Sequence, residues 1–473
     1  MGIAGAVGAQ GASKSGASKI RRSEHAALLA RHRKVVPSWV GLYYDEPIEL
    51  VSGKGCWVTD AEGNTYLDLF GGILTTSIGH GVDEFVEAVR AQAGRMVHSS
   101  TLYLIRPMVE LAERIASLSG IPDAKVFLCN SGTEAVDAAL MMCATARRSN
   151  QVLAVRNSYH GRSFSAVAVT GNRSWSPSSF SPLVVSWVHA GDAYRGIFAG
   201  RTPAELIDAA ARDLEELIAT TTAGDVACLI AEPIQGVGGF VVPPDGYFGA
   251  LQRVLSRYGI LFVSDEVQTG WGRTGEHFWG YQAHSVEPDL LTFAKGLGNG
   301  LAIGGVVGRT PVVDAIPASS ISTFGGNPLA AAGALATLQY ICDHDLQHHA
   351  STVGRRMRHR LEHGAAGLAT VGEIRGKGLM IGVDLVVPGT TDPSPVTADA
   401  VLDAARVDGV LVGKGGLYGN VLRISPPMTL SAAEADEGVD RLLHAMHAVE
   451  QAAAPDQAAA RGTGGSLGMD GGR

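Results

Sequence analysis

The most informative part of the sequence is LFVSDEVQTGWGRTGEHFWGYQAHSVEPDLLTFAKGLGNG, from Leu261 to Gly300. Two short apolar runs, Gly259 to Ser264 and Leu290 to Ala294, have the length and composition of buried parallel strands. Each run is followed by a charged residue, Asp265 or Lys295. Ligands of an open α/β sheet bind outside the carboxyl ends of the strands. We therefore expect Asp265 and Lys295 to face one crevice.

A carboxylate and an amine in one cleft suit pyridoxal phosphate in particular. That cofactor forms a Schiff base with a lysine and places its pyridinium nitrogen against a carboxylate. By themselves, Asp265 and Lys295 leave an alternative open, because they could form an ordinary ion pair or be unrelated strand-end charges. The surrounding sequence favours the cofactor.

Composition limits the classes of function. With 473 residues, 46% of them hydrophobic, the chain exceeds one usual core and is expected to divide into a large and a smaller lobe. A net charge of -8 does not favour binding to nucleic acid. The sequence also lacks a cluster of basic residues on a helix, which would indicate binding to a membrane surface. Five cysteines without metal-like spacing are typical of free thiols in a reducing compartment. We expect a soluble protein without nucleic-acid or membrane partners.

A second local pattern predicts an anion site. The buried-strand pattern Ala124 to Asn130 is followed by the small residues Ser131, Gly132 and Thr133, and then by a helical run from Glu134 to Arg147. Free backbone N-H groups and the helix dipole favour a phosphate at such a helix start. Simple N-capping by a hydroxyl is the alternative.

The segments SDEVQTGWGRTG and TFAKGLGNG resemble the core signature of the class III (subgroup II) aminotransferases, which belong to fold type I of the pyridoxal-phosphate enzymes. The resemblance runs from about Tyr43 to Met428. Within the class it is strongest to the mitochondrial alanine-glyoxylate branch and its bacterial relatives, through AEPIQGVGG, HFWGYQAH, STFGGNP, GKGLMIG and LRISPPM. It implies an α/β fold: a mixed, mostly parallel sheet with helices on both faces, and a smaller α+β C-terminal domain.

The resemblance also implies a set of site residues. Lys295 and Asp265 are expected to be catalytic, with Tyr159 and Val267 on the two faces of the cofactor ring and Gln268 at its phenolic oxygen. Thr323 matches a residue that reaches the cofactor phosphate of a neighbouring subunit, so we expect a homodimer or a pair of dimers. The full set of implied cofactor contacts is Ser131, Gly132, Thr133, Tyr159, His160, Glu232, Asp265, Val267, Gln268, Lys295 and Thr323.

For the substrate, the resemblance points to Arg423, with Tyr43 and Ile73 facing the same space. A guanidinium binds a carboxylate bidentately. Members that use ω-amino acids carry a glutamate that masks this arginine, and Val237 stands there instead. We predict ping-pong transfer between a small amino acid and a 2-oxo acid such as alanine, pyruvate or glyoxylate. Alternatives are ω-amino acids (4-aminobutyrate, β-alanine or ornithine), decarboxylation, or a non-catalytic protein on this fold.

The expected domain organisation has five parts. They are a disordered tail 1-22, an N-terminal segment with a small antiparallel sheet 23-75, a large cofactor-binding domain 76-328, a small C-terminal domain 329-451 and a disordered tail 452-473. We expect a cytoplasmic protein, or a mitochondrial one if residues 1-22 are a transit peptide. His344, His348 and His349 are interpreted as a solvated polar face, and no metal is expected.

Overall fold

The computed structural model describes residues 24-462, and residues 453-462 as backbone only. The predicted tail 1-22 therefore lies outside the described residues. Three sheets, of seven, four and four strands, form the framework. Within residues 24-462, every helix is too short or too polar to span a lipid bilayer.

The seven-stranded sheet positions most of the site. Its strands are β4 (Ala124–Cys129), β5 (Gln151–Val155), β6 (Val184–Val188), β7 (Cys228–Ala231), β8 (Leu261–Asp265), β9 (Leu290–Phe293) and β10 (Gly304–Arg309). In space they follow the order β4-β10-β9-β8-β7-β5-β6, and only β10 runs antiparallel to its neighbours. Every residue of β5, β7 and β9 is buried, as expected for parallel strands covered on both faces.

The two smaller sheets join the ends of the chain. The first contains β1 (Leu50–Lys54), β2 (Trp57–Asp60), β3 (Thr65–Asp68) and β13 (Val410–Leu411). The second contains β11 (Val371–Lys377), β12 (Met380–Leu385), β14 (Gly413–Gly415) and β15 (Val421–Ile424). The strands β1, β2 and β3 are antiparallel, as expected, and β13 pairs with β3 in parallel. The C-terminal lobe thus completes the sheet of the N-terminal segment.

Helices cover the sheets. They are α1 (24–35), α2 (Gly71–Leu74), α3 (Asp83–Ala93), α4 (Arg106–Leu118), α5 (Gly132–Arg147), α6 (Phe164–Ala168), α7 (Pro203–Thr221), α8 (Tyr247–Tyr258), α9 (Thr310–Val313), α10 (Pro328–Asp343), α11 (Leu346–Gly364), α12 (Pro395–Val407) and α13 (Ala432–Gly462). Local capping residues fix where several of these helices begin. A capping box between Thr202 and Glu205 begins α7, and the Asn327 side chain caps α10, whose first residue is Pro328.

Three boundaries differ from the predictions. Gly259, expected to begin a strand, instead ends α8 in the left-handed conformation (φ 64°), and β8 begins at Leu261. The segment 173-204, which is rich in serine, proline and glycine and has no clear strand or helix pattern, contains β6. The helix α13 continues to Gly462, within the range 452-473 that was expected to be an unordered tail, and alanines favour helix there. Residues 463-473 lie outside the described part.

The sheets follow the expected division of the chain. All strands of the seven-stranded sheet fall within 76-328, and all strands of the second small sheet fall within 329-451. A single large apolar core nevertheless extends across these boundaries and includes Leu67, Phe293 and Leu422. The division into domains stays a prediction.

Candidate active site

The strand ends on one edge of the seven-stranded sheet surround a pocket of about 200 Å³. The loops and helix starts that follow β4, β5, β7, β8 and β9 all contribute to it, because these strands run in the same direction. The pocket is lined by Gly132, Thr133, Tyr159, His160, Gly161, Arg162, Glu232, Asp265, Val267, Gln268 and Lys295. The structure therefore brings together nine of the residues that the sequence placed at the cofactor, and adds Gly161 and Arg162.

Asp265 and Lys295 lie at the ends of adjacent parallel strands, as the sequence predicted. Asp265 is the last residue of β8 and pairs in register with Thr292 on β9. Lys295 follows β9 and has a φ of 42°, in the left-handed region that non-glycine residues rarely occupy. Such backbone strain is concentrated at functional sites, because only a surrounding structure can hold it.

The Asp265 carboxylate is fixed by three partners. Its Oδ1 accepts hydrogen bonds from Thr292 Oγ1 at 3.0 Å and from the backbone N-H of Val267 at 3.2 Å. Its Oδ2 lies 2.6 Å from His160 Nδ1, with both side chains buried. No ion pair joins Asp265 to Lys295 in the described chain. The simple ion-pair alternative that the sequence left open is therefore wrong.

Burial shifts the ionisation of two groups in the pocket. Burial, assisted by the positive charge of Arg423, lowers the pKa of the Lys295 amine to about 8. Burial raises the pKa of Glu232 to about 7. The Glu232 carboxylate accepts hydrogen bonds from the backbone N-H groups of Tyr159 at 2.9 Å and Gly236 at 2.8 Å, so it joins the loops that follow β5 and β7.

The start of α5 lines one end of the pocket through Gly132 and Thr133. Ser131 is the N-cap residue, and its Oγ accepts a hydrogen bond from the backbone N-H of Glu134 at 3.4 Å. A Cβ added at Gly132 would approach Val267 Cγ2 to 3.1 Å, so the glycine leaves room at the helix start. Thr133 Oγ1 accepts a hydrogen bond from the backbone N-H of Ser163 at 3.0 Å. Capping by Ser131 is thus present, and the phosphate site at this helix start stays a prediction, which the position of Gly132 and Thr133 at the pocket supports.

Arg423, on β15 of the second small sheet, reaches the pocket through Gln268. Its Nη2 donates a hydrogen bond of 2.8 Å to Gln268 Oε1, and only 3% of Arg423 is exposed. Burial lowers its pKa to about 10. Its Nε is buried without a hydrogen-bond partner among residues 24-462. A cationic donor therefore stands next to the pocket with unused hydrogen-bonding capacity.

Four other predicted residues do not line the pocket of this chain. Tyr43 donates a hydrogen bond to the backbone oxygen of Lys414 at 3.0 Å, and its ring stacks on Phe70 with centroids 5.9 Å apart. Ile73 is 45% exposed. Ser131 is confined to its capping role, and Thr323 lies in the segment before α10.

The sequence analysis missed Gly161 and Arg162. They directly follow Tyr159 and His160 in the loop after β5, and this position at a strand end was the signal that could have found them. The backbone N-H of Arg162 donates to Thr133 Oγ1 at 3.1 Å, which brings this loop to the start of α5. The exposed side chain of Arg162 adds a second cation at the pocket.

The residues of the pocket fit pyridoxal phosphate. That cofactor requires a lysine amine, a carboxylate for the pyridine nitrogen and a phosphate site. Lys295, Asp265 and the start of α5 offer these three groups on one pocket. His160 Nε2 is buried without a hydrogen-bond partner in the described chain, which is uncommon for a buried polar atom and is typical of a site that binds a ligand. Fold and site together define a pyridoxal-phosphate enzyme of the α/β type.

Comparison with known proteins leads to the same class. Residues 43–446 match the family described as aminotransferase class-III. The mitochondrial alanine-glyoxylate aminotransferase 2 homolog 2 of Arabidopsis thaliana is 38% identical over 426 residues, 89% of this chain and 87% of that protein. The acetylornithine aminotransferase of Methanothermobacter thermautotrophicus is 37% identical over 403 residues, 85% of this chain and 94% of that protein.

A solved structure agrees. The amine transaminase from an uncultivated Pseudomonas species, determined with pyridoxal phosphate bound, superimposes with a TM-score of 0.81 at 33% identity, covering 86% of this chain and 96% of that chain. The chain belongs to the class III aminotransferases. It is a pyridoxal-phosphate-dependent enzyme that exchanges amino groups between amino acids and oxo acids, and the predicted fold class, cofactor and reaction class are confirmed.

Proposed function

We propose that this aminotransferase uses small α-amino acids and 2-oxo acids, of the alanine, pyruvate and glyoxylate type, by ping-pong exchange. The observation that carries this proposal is the position of Arg423. Its guanidinium is buried beside the pocket and forms no ion pair with a carboxylate of the described chain. A desolvated, unneutralised guanidinium is suited to bind the carboxylate of a small substrate bidentately.

Several groups of the pocket would take part in the proposed reaction. When bound, pyridoxal phosphate supplies an electron sink for the carbon that loses its proton. Lys295 Nζ would hold the cofactor and then, once released, remove the proton from the substrate α-carbon. A pKa of about 8 supports this role, because a useful fraction of the amine is then unprotonated near neutral pH. Asp265, oriented by His160, would face the pyridine nitrogen, and α5 would bind the phosphate.

The environment of Arg423 also bears on which amine reacts. Where ω-amino acid enzymes of the class are expected to carry a glutamate that masks the arginine, this chain has Val237, which is buried. An apolar side chain cannot neutralise a guanidinium. Arg423 would thus stay available in both halves of the exchange, which favours substrates whose carboxylate lies next to the reacting carbon.

Arg162 supports a second candidate, an ω-amino acid aminotransferase. Its exposed side chain lines the pocket on the side of Tyr159, whereas Arg423 stands behind Gln268. A substrate that carries its carboxylate away from the reacting amine could pair with Arg162 instead. The resemblance to acetylornithine aminotransferase agrees with this alternative.

A screen of donors distinguishes the two candidates. Holoenzyme is mixed with alanine, β-alanine, 4-aminobutyrate or ornithine without an acceptor, and the change in cofactor absorbance is followed. Glyoxylate or pyruvate is then added, and return of the first spectrum measures the second half of the exchange. The proposal expects the fastest change with alanine. A clear preference for 4-aminobutyrate or ornithine would favour the second candidate.

We also propose that the active protein is a homodimer. Exposed apolar side chains flank Thr323 in the sequence, since Ile321 and Phe324 are each 59% exposed, and Leu104 in the segment before α4 is 98% exposed. The two segments are adjacent, because the rings of His98 and Phe324 have centroids 5.3 Å apart. Exposed apolar patches of this kind mark interaction sites, and a second copy would bring its Thr323 to the pocket.

For the compartment we retain the expectation from the sequence, which is the cytoplasm. The relatives in Arabidopsis thaliana and Homo sapiens are described as mitochondrial, which keeps the transit-peptide alternative open. Imaging a fluorescent fusion of the whole chain, with and without residues 1-22, separates the two.

A further inference from the structure

Two aromatic rings lie within cation-π distance of the guanidinium of Arg423. Its Cζ lies 4.7 Å from the ring centroid of Phe240 and 5.4 Å from that of Phe70, both within the range of cation-π attraction. The hydrogen bond from Nη2 to Gln268 Oε1 supplies a third contact. These contacts come from the segment before α2, the loop after β7 and the loop after β8.

The backbone is distorted to present Phe240. This residue is completely buried and has a φ of 53°, in the region that costs a bulky side chain free energy. The loop that carries it is fixed from both sides, because the N-H of Gly236 donates to Glu232 and the oxygen of Gly239 accepts from Arg375 at 2.8 Å. A strained conformation persists only where the surrounding contacts determine it.

Two glycines on β14 make room for the same arrangement. A Cβ at Gly415 would lie 2.6 Å from Arg423 Cδ, and a Cβ at Gly413 would overlap the ring of Phe70. The ring of Tyr43 stacks on Phe70 at an interplanar angle of 25°. The glycines of Gly413-Lys414-Gly415 thus provide the space for an arginine and a phenylalanine.

We propose that Phe240 and Phe70 form an aromatic clamp that positions Arg423 and makes the enzyme select amines carrying an adjacent carboxylate. This inference rests on the proposed function and adds the residues that decide substrate class. With its guanidinium held by contacts to two rings and by the hydrogen bond to Gln268, Arg423 cannot turn away to admit an apolar group. A substrate without a carboxylate leaves its buried charge unpaired, and such a site rejects the analogue strongly.

The test compares Phe240→Leu and Phe70→Leu with Phe248→Leu, a matched change of a buried phenylalanine on α8 away from Arg423. Propionate is the probe, because it offers a carboxylate and no amine. Its dissociation constant for each holoenzyme is measured by calorimetry. We expect the dissociation constant to rise about 3- to 30-fold in each clamp variant, because loss of a cation-π contact lets Arg423 leave the orientation that binds the carboxylate. In Phe248→Leu the constant should stay unchanged.

Steady-state kinetics with alanine and with isopropylamine, which replaces the carboxylate of alanine by a methyl group, give a second readout. In the clamp variants we expect KM for alanine to rise while kcat changes little, and the preference for alanine over isopropylamine to fall. Equal losses for both amines would indicate a purely structural role. Phe70, which is half-buried, keeps the test available if Phe240→Leu does not fold.

Three results would overturn the clamp: no saturable binding of propionate to the wild type, no change in its dissociation constant in either clamp variant, or an equal change in Phe248→Leu. Failure of the proposed function is a different result. In that case the wild type prefers 4-aminobutyrate or ornithine in the donor screen, while propionate binding still responds to Phe240→Leu.

Discussion

His160 Nδ1 lies 2.6 Å from Asp265 Oδ2, and neither side chain is exposed to solvent. The two residues are 105 positions apart and reach each other because β5 and β8 end on the same edge of the sheet. Thr292 and the Val267 N-H occupy the other carboxylate oxygen. The carboxylate is therefore fixed before any cofactor atom reaches it, which is how a site is preorganised.

Replacing Asp265 with Asn is expected to lower kcat about 10²- to 10³-fold, because an amide cannot stabilise a protonated pyridine nitrogen. The substitution keeps the size of the side chain, so cofactor should remain bound. Steady-state kinetics and the cofactor spectrum measure the two effects. As a control, Asp289→Asn alters a carboxylate before β9, at the opposite edge of the sheet, and should leave kcat within a few fold. Full activity of Asp265→Asn would contradict the assigned role.

Borohydride reduction followed by peptide mapping is expected to place the pyridoxyl group on Lys295. Two other lysines in the sequence lie in glycine-rich contexts, but each is engaged elsewhere. Lys377 forms ion pairs with Asp245 and Glu276, and Lys414 pairs with Asp399. Lys295→Ala should abolish turnover while α5 retains some cofactor. Label on Lys377 or Lys414 would refute the assignment.

The pKa of Lys295 predicts a pH-dependent stability of the cofactor-free protein. Burial lowers this pKa from 10.5 to about 8, so the unfolded chain binds more protons between these values and stability rises with pH across this window. Below pH 8 the Lys295 amine is protonated in the folded state too, and the free energy of unfolding is then lowered by the full cost of burying its charge. Lys295→Met should therefore stabilise the apoprotein at pH 7 by on the order of 2 kcal/mol, and the gain should shrink towards pH 10.5. Urea unfolding at several pH values measures it, and a gain independent of pH would argue against a shifted amine.

Arg423→Lys is expected to lower kcat/KM for alanine and for glyoxylate by about 2 to 4 kcal/mol each, because an ammonium cannot bind a carboxylate as a fork. The cofactor spectrum should not change. Arg441→Lys, on α13 and paired with Glu437, is the matched control. If the substitution at Arg423 affects only thermal stability, Arg423 forms a structural contact rather than a substrate contact.

Leu104→Asp is expected to break the proposed homodimer, since it places a charge in an apolar surface that a second copy would cover. Sedimentation velocity should show monomers, with weaker retention of cofactor because Thr323 of a second copy is lost. Val396→Asp changes a comparably exposed residue on α12, at 78% exposure, and should leave the assembly intact. A wild-type monomer with full activity would exclude the dimer.

The sequence by itself placed Asp265 and Lys295 on adjacent strand ends. An apolar run, a charged residue and a glycine-rich turn are local features, and parallel strands end on one edge whatever their order. The same reasoning found the start of α5 behind Ser131, because capping depends on a few consecutive residues. The segment 173-204 escaped it, since β6 forms only by pairing along β5.

The way Arg423 is held depends on tertiary contacts that no local sequence pattern predicts. The arginine meets Gln268 across 155 positions, and Phe70, Phe240 and Gly415 approach it from three further segments. No periodic pattern in the sequence relates residues so far apart. The residues next to Phe240 likewise do not predict its positive φ. Contacts between distant segments are set by how the sheets pack against one another, which determines the space that each side chain can occupy.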